Sequence, residues 1–237
     1  MKVVGIIAEY NPFHRGHEYQ IRYAKETLGA DYVVIAMSGD FVQRGAPALM
    51  EKHVRAEMAL LGGADLVLEM PLQTATASAE GFAAGGVSLL DGLGDELCFG
   101  SECGDTEILM DVAEILVKEP SEYRNLLQQN LRAGMSFPAA RSSALIGYIQ
   151  EKIASGLNTL GSTSSEHIKL VLSSPNNILG IEYCKALLRL NSQIRPVTIR
   201  REGMGYHETT VPEGDSASPS PDLQSSTDFF ASATAIR

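Results

Sequence analysis

The chain has 237 residues, 44% hydrophobic and 20% charged, enough for one α/β domain or a domain with a small appendage. A net charge of −10 excludes a surface that binds nucleic acid everywhere, and no apolar run reaches the ~20 residues of a membrane-crossing helix. The three cysteines, Cys98, Cys103 and Cys184, are too few and too irregular for a disulfide framework or a zinc ribbon, so a reducing cytoplasm is the simplest setting.

Residues 3–8 (VVGIIA) read as a strand buried on both faces. No small-residue cleavage site follows, so this start is a strand and not a signal peptide. Asn11-Pro12 breaks the pattern, and a helical period begins near Gly16 with Tyr19, Ile21, Tyr23 and Ala24. His14 and His17 lie between strand and helix, separated by Arg15 and Gly16. The first N–H groups of a helix lack partners and carry partial positive charge, so this corner is an anion cradle. Two imidazoles and a glycine there suit a triphosphate; the plainer reading is a capped helix.

Residues 30–37 form a second buried strand, and 38–47 a loop bearing Gly39, Asp40, Gln43, Arg44 and Gly45. A helix over 49–61 is apolar at Val54, Met58 and Leu61 and charged on its other side; Gly62-Gly63 ends it, and 65–70 is a third strand. This alternation implies right-handed crossovers and a parallel sheet, with ligands at the carboxyl ends of the strands. Residues 74–92 read as one helix of small residues, and 96–100 as a fourth strand ending at Gly100, where a ligand can approach the backbone. Helices follow over 105–155, broken around 134–138, then a Gly/Ser/Thr-rich loop over 156–165.

Ser173-Ser174-Pro175-Asn176-Asn177 opens a helix over 178–190, and 195–201 is the last strand. The segment 183–201 carries Lys185, Arg189, Arg195, Arg200 and Arg201 with no acid: a basic helix end complementing its dipole, or a phosphate-facing surface. Residues 212–228, rich in Ser, Pro and acid, read as a mobile loop. Ser232 to Arg237 read as a helix start, which lacks a closed turn; the expectation is that the chain was cut there. The expected division is an α/β core over 1–104 and 166–211, a helical insertion over 105–165, the loop over 212–228, and the start of a truncated region over 229–237.

The H-x-G-H pattern resembles the nucleotidyltransferase superfamily that adenylylates small acids and cofactors. More widely, GIIAEYNPFHRGH, GDFVQRGAPALMEKHVRAEMAL, GADLVLEMP, FGSE, SPNNILGIEYCKAL, TIRREGMGYHE and SATAIR together resemble the tRNA(Met) cytidine acetate ligase family, from one end of the chain to the other. The resemblance implies a Rossmann-like α/β fold of the HxGH type with a mostly helical insertion. It also implies a cytoplasmic ligase that uses ATP, with Mg2+, to convert acetate to acetyl-adenylate. The acetyl group then passes to N4 of the wobble cytidine of elongator tRNA(Met).

Carried over by position, the ATP site comprises Ile7, Ala8, Glu9, Tyr10, Asn11, Pro12, Phe13, His14, Arg15, Gly16, His17, Glu18, Tyr19 and Gln20, then Gly100, Asn176 and Arg201. His14 and His17 are the catalytic phosphate contacts. Asn176 suits base or ribose and Arg201 a phosphate, against the plainer readings of helix cap and strand-end arginine. Ser232, Thr234 and Arg237 resemble a second phosphate-binding motif at a helix N-terminus. Asp40, Gln43, Arg44 and Lys52 are candidate acetate or tRNA contacts; His53, His167 and Glu69 read as structural. Asp65 and Glu69 flank a strand expected to be buried, a poor place for paired-carboxylate catalysis. No metal-ligand set stands out.

The family continues beyond SATAIR into a region expected to help hold tRNA. With no tryptophan and 6% aromatics, this chain has few stacking platforms for splayed bases. A cofactor adenylyltransferase and a non-catalytic nucleotide-binding module are the alternatives, and the oligomeric state is open.

Overall fold

The structure, a computed structural model, describes residues 1–155 and 165–201. Five strands, β1 (Val3–Ala8), β2 (Tyr32–Ser38), β3 (Leu66–Met70), β4 (Glu96–Ser101) and β5 (Arg195–Arg200), form one sheet in the order β3-β2-β1-β4-β5. Every pairing is parallel. The chain builds outward from β1 to β3 on one side and then restarts at β4 on the other. A crevice therefore opens between the carboxyl ends of β1 and β4, the usual ligand position in such sheets.

Nine helices are described: α1 (Arg15–Glu26), α2 (Lys52–Leu61), α3 (Leu72–Ala75), α4 (Ala79–Leu90), α5 (Thr106–Lys118), α6 (Ser121–Arg132), α7 (Phe137–Ala154), α8 (Ser165–Ser173) and α9 (Pro175–Leu190). Alternation along β1 assigns them to faces. Val4 and Ile6 pack with Ile21, Ala24 and Ala59 beneath α1 and α2. Val3 and Ile7 belong to the larger cluster, with Phe82, Leu90, Leu109, Val112, Leu145, Ile149 and Ile181 from α4, α5, α7 and α9.

Several expectations change. The helix expected over 74–92 is two, because the chain turns at Thr76-Ala77 and Ser78 restarts it by accepting the Gly81 N–H. A run of small residues carries no mark of such a break. The third strand is an edge strand, not a buried one: Leu66 is exposed and β3 pairs with β2 alone among the described residues. Asp65 accepts N–H groups from Val33 at 2.6 Å and Lys25 at 2.5 Å, and Glu69 pairs with Lys52, so neither belongs to a carboxylate dyad. On α2 the expected apolar face is partly turned out, with Val54 and Leu61 exposed, while Arg55 and Ala59 are buried. The helical stretch breaks both at Glu119-Pro120 and between α6 and α7, and α8 had no counterpart in the sequence reading.

The basic segment after Tyr183 is mostly committed to carboxylates. Buried Lys185 meets Glu182 at 2.6 Å and Glu80 at 3.5 Å, Arg189 also meets Glu80, and Arg195 meets Glu96 at 2.9 Å. These cations stitch α4, α9 and the sheet together and are not a phosphate surface. The loop over 156–164, the loop over 212–228 and the candidate helix start at 232–237 lie outside the described residues. Among the described residues no helix is long and apolar enough to cross a membrane.

Candidate active site

The corner between β1 and α1 is built by its own side chains. Tyr10 turns the chain at φ 48° and buries its ring, and the Asn11–Pro12 peptide is cis. His14 then caps α1: its Nδ1 accepts the Gly16 N–H at 3.1 Å. His17, one turn on, returns the favour, its Nδ1 accepting the His14 N–H at 3.3 Å. This is a capping box made of imidazoles in place of the usual hydroxyl and carboxamide. Because both Nδ1 atoms accept, both neutral rings carry their proton on Nε2 and have that N–H left to donate. The rings stack at 3.7 Å between centroids, 25° from parallel, and Tyr10 and Phe13 wall in His17 at 4.7 and 5.7 Å.

Burial lowers the His14 pKa to about 4, with help from the nearby Arg201 charge. Burial, then the charges of His14 and Arg201, holds His17 well below the ordinary imidazole value. Both rings are therefore neutral near pH 7 and act as dipolar N–H donors beside the α1 N-terminus. The sign of the stability effect follows. Between the His14 folded value of about 4 and the unfolded value of 6.5, the unfolded chain holds a proton that the folded chain does not, so acidification favours unfolding. Urea unfolding at pH 7 and pH 5 checks this: the loss of stability on acidification is expected to be smaller in His14→Gln than in wild type.

Across the crevice, Gly100, Asn176 and Arg201, which the resemblance assigns to one ATP site, are neighbours. A Cβ on Gly100 would lie 3.1 Å from Arg201 Cγ, so the arginine side chain lies over that bare backbone. Arg201 continues the β4–β5 pairing through its N–H to Ser101 O at 2.9 Å, and its Nη1 approaches Asn176 Oδ1 at 3.4 Å. Asn176 is not the helix cap of the plainer reading. Its Nδ2 donates to Glu102 Oε1 at 2.7 Å, which aims Oδ1 at Arg201.

Glu102 is the residue that sequence reasoning missed. Its carboxylate also accepts the N–H groups of Asn176 at 3.2 Å and Asn177 at 2.8 Å, occupying the positive end of α9. Buried Asn177 returns two bonds, Oδ1 accepting the Glu102 and Cys103 N–H groups at 2.9 and 3.1 Å. The FGSE motif carried the signal: an acid after a strand end, with a proline-started helix to receive it.

The remaining residues of the 7–20 span have divided roles. Ile7 belongs to the core. Ala8 and Phe13 pack against the smaller cluster, and buried Pro12 follows the cis bond. Glu9 Oε1 accepts the Gln43 N–H at 2.9 Å, buried Asn11 accepts the Leu49 N–H at 2.7 Å, and Gln20 donates to Cys98 O at 2.9 Å. Arg15, Glu18 and Tyr19 are exposed on the outside of α1, while Gly16 supplies a capped amide. In the neighbouring loop, Asp40 caps α2 by accepting the Lys52 N–H at 3.0 Å, and Arg44 is exposed at φ 70°. Ser232, Thr234 and Arg237 lie outside the described residues. Among the described residues no three His, Cys, Asp or Glu side chains are grouped to hold a metal.

A parallel sheet whose first strand feeds a helix N-terminus lined with donors, facing an arginine across the switch point, is a nucleotide-binding α/β fold. The comparisons are narrower. The chain belongs to the HIGH nucleotidyl transferase family, whose profile matches residues 1–237. It is 49% identical to the tRNA(Met) cytidine acetate ligase of Acetivibrio thermocellus over 89% of this chain and 48% of that protein. Identity to the enzyme of that name from Clostridium novyi is 44%, over 100% of this chain and 53% of the relative. The crystal structure of Thermotoga maritima TmcAL bound with alpha-thio ATP superposes with a TM-score of 0.77 at 46% identity, over 86% of this chain and 47% of that one. The apo form gives 0.80 at 45% identity, over 89% and 48%. The chain thus spans about half the length of the curated relatives it matches.

Proposed function

We propose that the protein is a tRNA(Met) cytidine acetate ligase that activates acetate with ATP. The acetyl group then goes to N4 of the wobble cytidine of elongator tRNA(Met), in the cytoplasm. The observation that carries this reading is the stacked His14–His17 pair, each ring with its Nδ1 occupied and its Nε2–H free to donate. The names of the relatives supply the acceptor.

Acetate is a poor acylating agent and the cytosine amine a weak nucleophile. A carboxylate oxygen attacks the α-phosphorus, the bond to pyrophosphate breaks, and a mixed anhydride results. The cytidine amine attacks its acyl carbon, AMP departs, and the amine gives up a proton. The protein's share is position and charge. The two Nε2–H groups, beside the positive end of α1 whose Gly16, His17 and Glu18 amides are already taken by His14, receive phosphate oxygens as negative charge builds on the departing pyrophosphate, and Arg201 neutralises the tail from the other wall. Gly100, having no Cβ, lets the Arg201 side chain lie against β4, which takes up the space the resemblance gave to the nucleotide, and Asn176, oriented by Glu102, offers Oδ1 to the nucleotide. Magnesium would accompany ATP as the counterion of its phosphates.

Incubation with ATP, labelled acetate and a tRNA(Met) transcript, followed by nucleoside analysis, tests the reading. Labelled N4-acetylcytidine is expected. A dinucleotide product formed from a mononucleotide would favour a cofactor adenylyltransferase, and ATP binding without pyrophosphate release a non-catalytic module.

A further inference from the structure

On α2 a charged side chain occupies the position that sequence periodicity assigns to solvent. Arg55 is 0% exposed and is the largest fully buried side chain among the described residues. Its guanidinium spends its N–H groups on main-chain carbonyls: Nε donates to Met50 O at 3.0 Å, Nη1 to Glu9 O at 2.5 Å and Ser38 O at 3.2 Å, and Nη2 to Gly39 O.

Those four carbonyls lie at one place in the fold. The ladder between β1 and β2 ends at the rung Ala8–Met37. Beyond it the chains part, Glu9 toward the imidazole corner and Ser38-Gly39 into the loop that closes at Met50. One planar fork replaces the missing rungs and ties both strand ends to that loop. It also faces converging carbonyl dipoles whose negative ends would repel one another, and would repel a phosphate tail beyond them.

We infer that Arg55 is a positioning residue for adenylylation: by joining the ends of β1 and β2 it sets where His14 and His17 present Nε2–H to the phosphates. The kinetic part of this inference rests on the acetate reading above. Lysine keeps the charge but offers a single point in place of a fork, so Arg55→Lys separates geometry from charge. In the intact protein, Arg55→Lys is expected to lower kcat for acetate-dependent pyrophosphate release by about 30-fold, the scale of a sub-ångström to ångström misplacement, with a smaller change in KM for ATP. In a His17→Ala background the same change is expected to cost less than about threefold, since residues acting as one unit are non-additive. The ATP-induced shift of the histidine ring-nitrogen NMR signals should shrink in parallel.

Full additivity of the two substitutions, or a folded Arg55→Lys with wild-type kcat and undiminished histidine shifts, would overturn the inference. So would failure of both Arg55→Lys and Arg55→Gln to fold, which would assign the residue to stability alone. If the wild type releases no pyrophosphate with acetate, it is the acetate reading that fails, and the histidine shifts on ATP binding still decide the role of Arg55.

Discussion

Replacing His17 with alanine is expected to slow acetate-dependent pyrophosphate release by about 10²–10³-fold, the scale for losing one preorganised transition-state donor. The side chain has two duties. Its Nδ1 accepts the His14 N–H and so completes the cap of α1, and in the proposed function its Nε2–H donates to the phosphate tail. The partner ring, stacked at 3.7 Å, loses its support at the same time. Initial rates with saturating ATP and acetate measure the effect. A variant that adenylylates acetate at close to the wild-type rate would remove His17 from the reaction.

The second large effect is expected on the opposite wall. Glu102→Gln keeps size and shape but leaves one acceptor oxygen and a donor NH2 where the carboxylate takes three N–H groups. Hydrogen bonds to a charged group are worth roughly 1.5–3 kcal/mol each, so the loss of one weakens ATP binding by about 10–100-fold. The damage should fall more on KM for ATP than on kcat, because the proposed function gives Asn176 a contact with the nucleotide and none with the reacting bond. Calorimetric titration with ATP checks it. Unaltered affinity would mean that Asn176 needs no latch from Glu102.

These expectations divide between what the residues announced and what only folding revealed. The first strand, the turn at Asn11-Pro12 and the histidine pair were readable because buried strands, chain breaks and helix starts each leave a local mark. The joining of Gly100, Asn176 and Arg201 came from family resemblance, since nothing local links residues so far apart in the chain. Arg55 escaped because a charged residue on an amphipathic helix reads as solvent-facing until four carbonyls are found around it. Glu102 escaped for a related reason: an acid beside a proposed phosphate site looks misplaced until the α9 amides are seen to need it. An apolar run cannot tell an edge strand from a central one, so the exposure of Leu66 was hidden as well.

The most direct test is histidine ring-nitrogen NMR of isotope-labelled protein titrated with ATP. In the free protein both imidazoles should be neutral with the proton on Nε2, and both Nε2 signals should move as the nucleotide binds. Rings protonated on Nδ1, or Nε2 signals unmoved at saturating ATP, would contradict a phosphate tail seated on this pair.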